Sequence, residues 1–106
     1  MNAITDDIRD AIEKELTSAN EKFPMFSSMH EGIAVLFEEY QEASEELGNV
    51  KRYMDMAWNQ IKLNNTQLAL SQATRIKYAA ERLAIEACQV SAMAEKFIQS
   101  ERREKS

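Results

Sequence analysis

Glycine and proline are nearly missing from this chain, with two Gly and one Pro in 106 residues. A turn-rich β protein needs both at its bends, so that class is excluded. The 44% hydrophobic and 29% charged content fits a helical soluble domain instead. The single cysteine, Cys88, leaves no internal disulfide to form, and a reducing, intracellular setting is expected. No stretch of about twenty apolar residues is available to span a bilayer or serve as a signal. A cytoplasmic protein with no membrane contact is therefore expected. Basic residues are outnumbered 13 to 18, giving a formal charge of −5, which argues against general nucleic-acid binding.

What is present is helical periodicity. Ile4, Ile8, Ile12, Leu16 and Ala19 recur at one-turn spacing and predict a first helix over about Ile4 to Asn20. Pro24 ends it, and the connector carries Phe23, Met25 and Phe26, which either tuck onto the bundle or line a pocket. Ser28 and Glu31 have the spacing of a capping box, with Glu31 reaching back to the Ser28 amide. From there Ile33, Leu36, Tyr40, Ala43, Leu47, Val50, Met54, Ala57 and Ile61 alternate steps of three and four. One long helix from about Met29 to Leu63 follows, with Gly48 as its weak point.

Asn64, Asn65 and Thr66 signal a turn and an N-cap. The last helix should run to about Ser100 on a stripe of Ala73, Ile76, Ala80, Leu83, Ala87, Val90, Ala94 and Phe97, with a charged tail over about 101–106 that frays. A second apolar line, Tyr78, Ile85, Cys88 and Ala92, lies on its other side. The expected fold is one all-α domain over 1–106, an antiparallel bundle of two long helices and an N-terminal helix, completed by oligomerisation. A homodimer or dimer of dimers would put Ile85 or Cys88 near a subunit boundary or under the first helix.

The segment from Phe23 to Val50 holds Glu31, Glu38, Glu39, Glu42, Glu45 and Glu46 and no Lys or Arg. Carboxylates three and four residues apart on a helix repel by a few tenths of about 1 kcal/mol per pair. Either the face is simply solvated, or a hard divalent cation reverses the effect. Glu39 with Glu42, and Glu86 with Gln89, occupy matching heptad positions on the two long helices. Packed antiparallel, the pairs converge on one point; alternatively Glu86 pairs with Arg82 and Gln89 is an ordinary polar position.

His30-Glu31-Gly32 followed by Glu38-Glu39-x-x-Glu42, then Glu86-x-x-Gln89-Val90 with Ala92-Met93-Ala94 and Phe97-Ile98, resembles the MazG-like all-α nucleoside triphosphate pyrophosphohydrolases, in particular small phage or prophage-type members. The resemblance covers about Lys22 to Leu47 and Arg82 to Gln99; Gly48 to Glu81 is longer than that family's connection. It implies a Mg²⁺-dependent enzyme, with Mn²⁺ as a substitute, that releases pyrophosphate from nucleoside triphosphates. It implies Glu39, Glu42, Glu86 and Gln89 as the metal set, with Glu38 and Glu39 in the chemistry. Arg82, Lys96 and His30 would face phosphate or substrate, although Lys96 also reads as a surface charge and His30 as a structural or pocket-lining residue. The family's Asp is Gln89 here, which lowers the negative charge available to a metal. An alternative is a non-catalytic helical oligomer that binds a nucleotide or a partner protein.

Overall fold

The computed structural model describes residues 3–105, with side chains over 3–102. It contains α1 (Thr5–Lys22), α2 (Met29–Lys62) and α3 (Thr66–Lys105), and no strand among the described residues. The molecule is 63 × 30 × 22 Å, because α2 and α3 form one long antiparallel hairpin while α1 lies against α3 alone. No helix among the described residues is long and apolar enough to cross a membrane.

Local chemistry sets the ends. Ser28 Oγ accepts from the Glu31 amide at 3.1 Å and starts α2. The Glu31 carboxylate reaches Ser27, not the Ser28 amide that the capping pattern predicts, accepting from the Ser27 amide and hydroxyl. At the hairpin turn Asn64 takes φ 56°, a left-handed conformation that Asn tolerates, and Asn65 Oδ1 accepts from the Leu68 amide at 3.1 Å to open α3. The third helix passes Ser100, where the apolar period would end it, and continues to Lys105; Ser106 lies outside the described residues. The second runs unbroken through Gly48.

The two long helices meet on a different stripe from the one their largest apolar residues suggest. The inward residues of α2 are Gly32, Leu36, Glu39, Ala43, Glu46, Val50, Tyr53, Ala57 and Gln60, while Ile33, Tyr40, Leu47, Met54 and Ile61 are exposed. On α3 the inward set replaces Ala73, Ala80 and Ala87 with Gln72, Ala79 and Glu86 and keeps Ile76, Leu83, Val90 and Phe97. Each helix is thus turned by about one residue from the expected register, which draws Glu39, Glu46 and Glu86 into the contact. Gly32 permits close approach at the open end, since a Cβ there would overlap the Phe97 ring.

The first helix covers part of the second apolar line on α3. Cys88 and Ala92 are buried, while Tyr78 and Ile85 are left exposed. The connector tucks in through Phe26, whose amide donates to Ser100 Oγ at 2.9 Å, whereas Phe23 stays 64% exposed. Lys96 is the largest fully buried side chain, and its Nζ lies 3.4 Å from the carbonyl oxygens of both Ala19 and Phe23. It closes the C-terminal end of α1, where carbonyls lack partners and the dipole favours a cation, and lies over the Phe26 ring at 5.2 Å.

Candidate metal centre

The inward turn of both long helices brings three carboxylates together. One oxygen each from Glu39, Glu42 and Glu86 lies within 4.8 Å of the others. Glu39 and Glu42 share a side of α2 because they are three residues apart, and the antiparallel hairpin sets Glu86 of α3 at the same level. Glu42 is exposed, while Glu39 and Glu86 are half-buried. Their Oε2 atoms are each buried without a hydrogen-bond partner.

Burial raises the Glu39 pKa above its usual value, with smaller contributions from Glu42, Glu38 and Glu15. Glu86 is raised as well, first by burial, then by its contact with Glu42 and the charges of Glu42, Glu39 and Glu46. Buried acceptors without donors are costly, and a carboxylate crowded by carboxylates favours its protonated form. A hard divalent cation suits this donor set on both counts, since it takes carboxylate oxygens and offsets their charge.

A cleft of about 610 Å³ opens beside the cluster between α1, α2 and α3. Glu38, Glu39 and Gln89 line it, as do Phe26, Val35 and Met93. Lys96 borders the cleft too, but it is buried rather than the surface charge its sequence position also allowed, and burial lowers its pKa against an opposing effect from Glu31. Arg82 pairs neither with Glu86 nor with the cleft: its Nε donates to both Glu46 oxygens, at 3.2 and 3.1 Å. His30 is exposed on the first turn of α2 and is not part of the cleft lining.

Three contributors escape the motif pattern. Glu15 and Lys22 come from α1 and line the cleft, and Glu46 bears on Glu86 across the hairpin. Nothing local in the sequence marks the first two, because only the packing of α1 on α3 brings them there. Glu46 had a signal, being one turn beyond Glu42 on the same side. Comparison of the chain with protein-family models, curated proteins and solved structures finds no match in any of the three.

Proposed function

We propose that this chain is a divalent-cation-dependent nucleoside triphosphate pyrophosphohydrolase of the MazG-like kind, acting in nucleotide-pool housekeeping in the cytoplasm. The single observation that carries the reading is the convergence of Glu39, Glu42 and Glu86 within 4.8 Å, with buried, unpartnered oxygens on Glu39 and Glu86. Glu39, Glu42 and Glu86 would hold Mg²⁺ or Mn²⁺, and Gln89 would offer a neutral amide oxygen from the cleft wall. A bound cation would supply Lewis-acid polarisation of a phosphoryl oxygen and a lower pKa for water.

The chain's own residues would bind and orient the triphosphate in the cleft. Lys96 and Lys22 are the cleft's cationic groups and would face the phosphate chain. Glu38, exposed at the cleft, would take the proton of the attacking water. Water adds to the α-phosphorus, the oxygen bridging to the β-phosphate leaves with pyrophosphate, and a monophosphate remains. Arg82, held by Glu46, and His30, outside the cleft, have no part in this reading.

A second reading is a non-catalytic helical oligomer that binds a nucleotide or partner protein. It is favoured by Gln89, which removes a negative charge from the metal set, and by the pairing of Arg82 away from the cleft. Pyrophosphate release from a panel of NTPs and dNTPs with Mg²⁺ or Mn²⁺ separates the two. Metal-dependent release that is lost in Glu42→Gln supports the enzyme; nucleotide binding without release supports the second reading.

A further inference from the structure

We infer that the outer face of the α2–α3 hairpin is the contact surface for a second copy of this chain, with each copy's α2 seated over the partner's α3. The face begins with a continuous row on α2. Ile33, Phe37, Tyr40, Leu47, Met54 and Trp58 are between 46% and 60% exposed. They follow alternating steps of four and three, with Ser44 and Lys51 filling the remaining places and Ile61 closing the row. A solvated helix face has no reason to keep such a period over about 42 Å. Soluble monomers rarely expose so large an apolar patch.

The other half of the face explains which partner fits. Glu42 meets Glu86, Glu46 meets Arg82, and Arg75 lies 5.9 Å from the Tyr53 ring, which fixes the level of each α3 residue against α2. Counting outward from these contacts, Tyr40 stands level with Ala87, Leu47 with Ala80 and Met54 with Ala73. In an antiparallel pair with this inward stripe, those residues flank the same side of the hairpin. Every large side chain on α2 therefore has an exposed alanine beside it on α3.

A surface with a large row beside a small row is complementary to itself when a two-fold axis runs along its length. That operation sets α2 on the partner's α3, places each large side chain over an alanine, and makes every neighbouring pair of helices antiparallel. Half-exposed side chains of this size offer on the order of 500–600 Å² of apolar surface per copy, and the alanine row brings the total toward the roughly 800 Å² per partner of a stable interface. The rows on the two helices also lack Asp and Glu, although the chain has 18 of them. Their charged members are Lys51, turned onto Asp55 at 2.9 Å, and Lys77, which this arrangement puts at the same level. The surface is distinct from the Tyr78 and Ile85 line.

Sedimentation equilibrium of the full chain across a micromolar range tests this, with circular dichroism to verify that each variant is folded. The wild type should be a dimer. Leu47→Glu should sediment as a monomer with unchanged helicity, and Ile85→Glu should remain dimeric. Lys77→Glu removes the facing like charges, so it should tighten the dimer several-fold. A monomeric wild type, a dimer untouched by Leu47→Glu, or a contact formed only with a different protein would overturn the proposal. A Lys77→Glu dimer no tighter than wild type would overturn the seating of α2 on the partner's α3.

Discussion

Arg82 and Glu46 form a bridge across the hairpin, the guanidinium Nε lying 3.2 and 3.1 Å from the two carboxylate oxygens. The pair sits one turn from Glu42 on α2 and one turn from Glu86 on α3, so it holds a positive charge at the edge of the acid cluster without aiming it into the cleft. Arg82→Ala should lower stability by less than about 1 kcal/mol, because the pair is partly solvated. It should also tighten Mg²⁺ binding by a few-fold, since it leaves Glu46 uncompensated. A calorimetric titration checks this. A tenfold or larger loss of kcat/KM with unchanged metal affinity would mean that Arg82 holds phosphate instead.

The carboxylates also make stability depend on pH in a known direction. Glu39 and Glu86 have folded pKa values raised above the ordinary 4.5, so the folded state keeps these protons longer than the unfolded chain does. Their contribution is fully present below pH 4.5 and is lost as pH rises through the raised folded values. Glu39→Gln and Glu86→Gln should each stabilise the metal-free protein at pH 7 by about 0.5–1 kcal/mol, with the gain vanishing in acid. Urea unfolding of wild type and variants at pH 4 and pH 7, with metal chelated, measures the difference.

The two glycines should respond oppositely to the same change. A Cβ on Gly48 would meet nothing within 4 Å, so Gly48→Ala should stabilise by about 0.5–1 kcal/mol through helix propensity alone. At Gly32 the Cβ would overlap the Phe97 ring. Gly32→Ala should cost about 1–3 kcal/mol, the usual range for overpacking. Paired denaturant curves read both values.

Lys96 ties α1 to the hairpin. Lys96→Met keeps most of the volume and removes a desolvated charge, and should change stability by no more than about 1 kcal/mol; Lys96→Ala leaves a cavity and should cost about 2–4 kcal/mol. The wild-type ammonium has a folded pKa below the ordinary 10.5, so stability should rise with pH between the folded value and 10.5, and Lys96→Met should remove that rise. Hydrogen exchange over Thr5–Lys22 reports the loosening of α1 in the alanine variant.

Much of the fold was legible in the sequence because its stop and start signals are chemically specific. Pro24, the Ser28 cap and Asn64-Asn65 place the helix ends within a few residues of those observed. The facing register was not. Leu36, Ala43, Val50 and Ala57 belong both to the expected stripe and to the real one, and so do Ile76, Leu83, Val90 and Phe97. Periodicity fixes the shared member of each pair, but not which flank accompanies it. Choosing the larger apolar flank put Tyr40 and Leu47 inside, whereas the hairpin turns Glu39 and Glu46 inward and leaves the apolar flank outside. For the candidate site, matched spacing on two antiparallel helices was enough to bring Glu39, Glu42 and Glu86 together. The tie between Arg82 and Glu46 and the burial of Lys96 depend on contacts between distant segments that no local pattern encodes.

The central claim is that the carboxylate cluster holds a divalent cation. Its most direct test is a titration of the full chain with Mn²⁺, following paramagnetic broadening of assigned amide signals and, in parallel, calorimetric stoichiometry. The account predicts one ion per chain, with broadening that starts around Glu39, Glu42 and Glu86 and is abolished by Glu86→Gln. Broadening spread evenly over the acidic surface, or unchanged in Glu86→Gln, would contradict it.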